Sequence, residues 1–165
     1  MKTTLQACPV PTGEGTFLAY YSDKGLARLD FPNGKQPKAE ELPKAEMKRW
    51  HELTARAIAE VINGRPITLM PPLDVSIGTE FQRDVWSALR KISCGKTKSY
   101  SEIAALVGKP KGARAIGNAC GANPIPLLIP CHRVLASGGR LGGFSSGLDW
   151  KRKLLQRENV TNYRE

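Results

Sequence analysis

Apolar positions follow two different periods along the chain. Residues 15–21, Gly-Thr-Phe-Leu-Ala-Tyr-Tyr, are rich in aromatic and β-branched side chains. Beyond an Asp23-Lys-Gly25 turn, Leu26, Ala27, Leu29 and Phe31 form a second short run, so two strands are predicted. A polar, proline-containing connection extends from Pro32 through Pro43. The period then changes. Trp50, Leu53, Ala57, Val61 and Ile62 stand largely at spacings of three and four, which predicts an amphipathic helix over 45–62, stopped by Asn63-Gly64. Residues 65–78 carry Pro66, Pro71 and Pro72 and read as the join between two parts, 1–72 and 73–165.

The second part reads as helical. Thr79 is expected to cap a helix with Gln82 as its capping-box partner, and Phe81, Val85, Trp86 and Leu89 fill one face until Cys94-Gly-Lys96. A short helix over 100–108, capped by Ser101, turns Ile103, Ala104 and Val107 inward. After the turn Lys109-Pro-Lys-Gly112 comes a helix over 113–120, and the pair fits a helix-turn-helix. Ala113, Ala115, Gly117 and Ala119 give the second helix almost no bulk. Its backbone could approach a groove wall closely, or pack tightly against another helix.

Composition narrows the class. At 165 residues the chain is one domain or two small ones sharing an interface. A hydrophobic share of 41% excludes a disordered basic tail. No run of 18 apolar residues exists to span a membrane, and the first ten residues lack the apolar stretch of a secretion signal. The expected location is the cytoplasm, or the nucleus in a eukaryote. Net charge is +10, unevenly spread: ten basic and eight acidic residues up to Pro72, fifteen basic and seven acidic after it. Between Arg90 and Arg133 eight basic residues face one acid, Glu102. Such a field suits nucleic acid, an anionic membrane surface or an acidic protein; equally, it suits a solvated face. Cys8, Cys94, Cys120 and Cys131 form no CxxC pair, so reduced thiols are expected. With only His51 and His132 to join them, no finger or ribbon spacing exists, and neither a metal nor a cofactor is expected.

Candidate chemistry lies in Pro130-Cys-His-Arg-Val134, between the apolar stretch 126–130 and a glycine-rich loop over 137–147. A thiol becomes a good nucleophile beside a His or a cation. Cys131 has both directly after it; a buried structural cysteine is the alternative. The wider text Asn123-Pro-Ile-Pro-Leu-Leu-Ile-Pro-Cys-His-Arg-Val134 closely resembles the active-site motif of the O6-alkylguanine-DNA alkyltransferases, the methylated-DNA–protein-cysteine methyltransferases. The resemblance runs in register from Gly78 to about Asn159. It includes Thr79-Glu-Phe-Gln-Arg-Asp-Val-Trp86, Ser99-Tyr-Ser-Glu-Ile-Ala104, Ala113-Arg-Ala-Ile-Gly117, Gly142-Gly-Phe-Ser-Ser-Gly-Leu148 and Lys151-Arg-Lys-Leu-Leu155.

The resemblance implies a mixed α/β (α+β) fold: a small N-terminal RNase H-like α/β domain, then a mainly helical domain with the helix-turn-helix. It implies repair of double-stranded DNA containing alkylated guanine. The damaged base is flipped out and its O6-alkyl group passes irreversibly to Cys131, with O4-alkylthymine a further candidate substrate. His132 would act as base through a bridging water, oriented by Glu158 in the C-terminal helix, and Asn123 would fix the turn behind Cys131. Tyr100 would donate to the guanine ring and Lys151 would stand near O6. Arg114 would enter the vacated stack, with Ala113, Ala115 and Gly117 in the minor groove and Lys109 and Lys111 on phosphates. Pro126, Phe144, and backbone groups around Val134 and Ser145 would line the base pocket. A monomer in solution is expected, with cooperative binding along DNA left open.

Departures from the family pattern are specific. Gly121 stands where some members have arginine, and Phe144 where tyrosine is common. Cys8 and His51 are too few for the zinc site some relatives hold. Three rivals each leave something unused. A non-catalytic damage binder would have no use for Cys131, and a helix-turn-helix regulator none for Cys131, His132 and Glu158. A Cys/His hydrolase would have no use for the basic helix-turn-helix.

Overall fold

The computed structural model describes residues 4–33 and 44–165. Strands β1 (Gln6–Thr12), β2 (Gly15–Tyr21) and β3 (Leu26–Asp30) form an antiparallel meander in the order β1-β2-β3. β2 and β3 fall where the aromatic runs predict them. β1 was not anticipated, because Pro9 and Pro11 break the usual strand pattern. Two residues apart, these prolines turn their missing N–H groups toward one side, and β1 is an edge strand. Alternating with them, Cys8 and Val10 point into the core.

The long helix α1 (Ala45–Ile62) matches the predicted bounds. From residue 34 the expected polar connection lies outside the described residues. α1 packs on β1 and β2. His51 on this helix accepts from the Tyr21 hydroxyl at Nδ1 (2.9 Å) and donates from Nε2 to the Pro9 carbonyl (3.1 Å), so both ring nitrogens are engaged.

Helix α2 (Glu80–Leu89) begins with the expected Thr79–Gln82 capping box. Strand β4 (Lys98–Ser99) then pairs in parallel with β5 (Val134–Leu135), outside the meander. Helix α3 (Tyr100–Leu106) is capped by Ser99, which corrects the expected Ser101. Ser99 has the extended backbone a cap needs (φ −82°, ψ 163°), accepts from the Glu102 amide and completes a capping box, while Ser101 lies one residue inside the helix. α4 (Ala113–Gly121) follows, packed against α3 and α2, so the helix-turn-helix forms as expected. α5 (Leu148–Arg157) closes the chain.

One contiguous core runs from Cys8 to Leu154, crossing the join predicted near residue 72. Gly64 has φ +72°, and a Cβ there would lie 1.9 Å from the Arg157 carbonyl, so only glycine lets α1 end against α5. The β1–β2 turn is tied to α5 as well, through ion pairs from Glu14 to Lys153 and Arg157. An aromatic group of Phe17, Phe31 and Trp150 extends to Phe144, with the Phe31 and Phe144 rings edge-on at 5.8 Å. Among the described residues, no helix is long and apolar enough to cross a membrane.

Candidate functional site

Cys131, His132 and Arg133 form a single 3-10 turn, entered from a tight loop that Asn123 holds. The Asn123 amide donates from Nδ2 to the Ile129 carbonyl (2.8 Å), and its Oδ1 accepts from the Ile125 amide (2.9 Å). These bonds span a loop in which buried Leu127 adopts φ 76°, a conformation costly for a side chain this size. The clamp delivers Cys131 to the floor of a cavity of about 280 Å³. Tyr100, Phe144 and Ser145 form one part of its wall; Gly117, Cys120 and Gly121 of α4, with Gly143, form the rest.

Behind the thiol sits a buried charge cluster. Glu158 Oε1 accepts from His132 Nε2 at 3.0 Å and from Arg133 Nη2 at 2.8 Å. Oε2 accepts from Arg133 Nε at 3.0 Å and from the Gly95 amide at 3.3 Å. Arg133 Nη1 donates to the Ile92 carbonyl at 2.8 Å. With so many donors, Glu158 is held at a pKa of about 2, against the pull of burial, and stays ionised. Glu158 is the residue that ends α5, one position beyond the helix in which it was expected. Burial lowers the His132 pKa in spite of Glu158, so the ring is neutral. Its Nε2 then carries the proton donated to the carboxylate, and Nδ1 is a buried acceptor with no partner among the described residues.

Lys151 is fully buried. Its Nζ donates to the Val134 carbonyl (2.7 Å) and the Gly143 carbonyl (3.1 Å), joining β5 to the glycine-rich loop. Burial lowers its pKa to about 8, while interaction with the Cys131 and Cys120 thiols favours the charge. Burial pushes the Cys131 thiol up, opposed by a hydrogen bond from Asn123 and the charge of Lys151. The Tyr100 phenol is also raised by burial and remains a neutral donor. A Cβ at Gly142, where φ is +71°, would stand 3.1 Å from its hydroxyl, so the loop approaches Tyr100 as closely as it does because residue 142 is glycine.

The structure therefore gathers Cys131, His132, Glu158, Asn123, Lys151, Tyr100, Phe144 and Ser145. Val134 is buried, presenting its carbonyl to Lys151. Pro126 lies outside the cavity, in an adjoining depression that also includes Asn123 and shares Ser145. Arg114 and Ala115 are exposed on α4, Ala113 and Gly117 half-buried, and Lys109 and Lys111 exposed at the turn before it. Arg133, read in the sequence as a cation beside Cys131, is instead bound to Glu158 and the Ile92 carbonyl, partners 25 and 41 positions away that the sequence did not reveal.

Residues 80–160 match the family described as 6-O-methylguanine DNA methyltransferase, DNA binding domain. A methylated-DNA–protein-cysteine methyltransferase of Methanosarcina barkeri is 42% identical over 149 residues, which cover 87% of this chain and 90% of the relative. A Haemophilus influenzae protein of the same name is 36% identical over 169 residues, covering 96% and 88%. The crystal structure of Mycobacterium tuberculosis OGT in complex with DNA superposes with a TM-score of 0.75 at 32% identity, covering 91% of this chain and 90% of that one.

Proposed function

The chain belongs to the methylated-DNA–protein-cysteine methyltransferase family, and from that premise we propose how its own residues carry the reaction. The protein repairs alkylated DNA by direct reversal, moving the alkyl group from the base to a cysteine of its own. The observation that carries the assignment of Cys131 is its place on the cavity floor, with the neutral His132 and the ionised Glu158 behind it.

The substrate is O6-alkylguanine in duplex DNA, flipped into the cavity. His132 Nδ1 takes the Cys131 proton through a bridging water, which satisfies an acceptor that burial otherwise leaves without a partner. Lys151 favours the thiolate, and it holds the Val134 and Gly143 segments around the base. Sulfur attacks the alkyl carbon, the carbon–O6 bond breaks, and its electron pair leaves with guanine. Tyr100 donates to the ring as charge develops there. Asn123 and Arg133 are positioning residues, the first for Cys131 and the second for Glu158. Phe144 and Ser145 flank the base, and Pro126 supports Ser145 from the adjoining depression. The exposed face of α4 enters the minor groove with Arg114 in the vacated stack, while Lys109 and Lys111 meet phosphates. A thioether has no route back to thiol here, so each molecule, acting as a monomer, accepts one alkyl group.

Intact-protein mass tests this. After incubation with an O6-methylguanine duplex the wild type gains one methyl group, on Cys131, and Cys131→Ala gains none. A wild type of unchanged mass, or a methyl group on another residue, overturns the assignment.

A further inference from the structure

The reaction above leaves Cys120 unused, although it shares a cavity with the nucleophile. Its side chain, on α4, lines the same space of about 280 Å³ as Cys131. Both thiols also act electrostatically on Lys151, which places the three groups close together. Neither Cys8 nor Cys94, which bonds to the Gly64 carbonyl, lines this cavity. The remaining wall leaves room for more than a methyl group: a Cβ added at Gly121 or Gly143 would meet nothing within 4 Å.

We propose that Cys120 acts as a second acceptor when the O6-alkyl group taken by Cys131 carries a second leaving group. A 2-haloethyl group would then end as a two-carbon bridge between Cys131 and Cys120. The proposal rests on alkyl transfer to Cys131. In the first displacement Cys131 sulfur bonds to the O6-linked carbon and guanine departs with the O6 electron pair, leaving an S-(2-chloroethyl) thioether. The thioether sulfur then displaces chloride from its own β-carbon, giving a three-membered cyclic sulfonium and a chloride ion. Cys120 sulfur attacks a ring carbon and the carbon–sulfonium bond opens. Cys131 returns to a neutral thioether, and the Cys120 proton leaves to water. Every step is a displacement, with no change of redox state.

Proximity and softness favour Cys120 over water. Burial pushes its thiol up to about 12, so it reacts as the neutral thiol. That suffices, because a cyclic sulfonium is opened even by water, a poorer nucleophile than sulfur. A thiol held in the same cavity also has the advantage of an intramolecular partner. A two-carbon bridge further suits two sulfurs that line one cavity and need not touch.

Peptide mapping decides the matter, since no Lys or Arg lies between Arg114 and Arg133 and trypsin leaves both cysteines on one peptide. The probe is a duplex with a single O6-(2-chloroethyl)guanine. Wild-type peptide is expected to gain one two-carbon bridge and to lose both iodoacetamide-reactive thiols. In Cys120→Ser the group on Cys131 remains unbridged, as hydroxyethyl or chloroethyl. A wild-type peptide with hydroxyethyl on Cys131 and Cys120 still reactive overturns the proposal. So does a bridge to DNA or to Cys94. An O6-methylguanine duplex runs alongside: if wild type gains no methyl from it, alkyl transfer itself fails; if it gains methyl but forms no bridge, only the role of Cys120 fails.

Discussion

Arg133 divides the charge of Glu158. Its guanidinium takes both carboxylate oxygens, and His132 shares only Oε1, so the imidazole does not receive the whole negative charge. Burial together with the Arg133 charge keeps His132 below its ordinary pKa and available as a base. Removing Arg133 takes away a positive neighbour, so the His132 pKa rises. A base that must be neutral is then protonated at higher pH. Arg133→Met is expected to move the acid limb of the methyl-transfer rate toward higher pH, with Arg133→Lys in between. Breaking the buried pair also costs about 3–5 kcal/mol of stability. A less stable protein with an unmoved limb would make Arg133 purely structural. The Cys131-His132-Arg133 adjacency was readable in the chain, but the division of labour was not. His132 and Arg133 converge on Glu158 only because the end of α5 returns beneath the 3-10 turn. Lys151 was named through the family resemblance, but nothing in its helix context indicates that the Val134 and Gly143 carbonyls await its ammonium.

At the scale of elements, periodicity was a good guide wherever a helix had one apolar face, as over 45–62 and 79–89. Helix starts depend on a single backbone angle, which periodicity does not report. Periodicity led to Ser101 as the cap, although the Ser99-Tyr-Ser-Glu102 spacing of a capping box marks Ser99. Ser99→Ala is expected to lower stability by about 1 kcal/mol through loss of the capping box. Ser101→Ala is expected to be nearly neutral, because that exposed residue caps nothing. Denaturant melts of both variants check the pair, and equal losses would return the cap to Ser101. β1 remained hidden for the opposite reason. Its prolines obey a rule about edges, and whether a strand lies at an edge is known only once the sheet is assembled.

The whole molecule carries its charge asymmetrically. Arg90, Lys91, Lys96, Lys109, Lys111 and Arg114 are exposed, whereas Arg133 is buried against Glu158 and adds nothing to the outer field. Affinity for duplex DNA should fall steeply with salt as phosphate neutralisation releases counterions. Replacing Lys109 and Lys111 by alanine should reduce the slope of log affinity against log salt by about 1 per lysine. Fluorescence anisotropy titrations measure this, and an unchanged slope would remove both lysines from the interface. The sequence resemblance spoke mainly for the second half of the chain, so the part the first half plays at the site was not legible. Phe31 braces Phe144 in the cavity wall through a ring contact between residues far apart in the chain. The indole of Trp86, almost wholly buried, donates to the Ala119 carbonyl at 2.9 Å, immediately before Cys120 on α4. Trp86 thereby offers an optical gauge: with Trp50 and Trp150 replaced by phenylalanine, emission depends on this bond and on the dryness around it, so a shift of α4 would be visible as a change in colour without any added label.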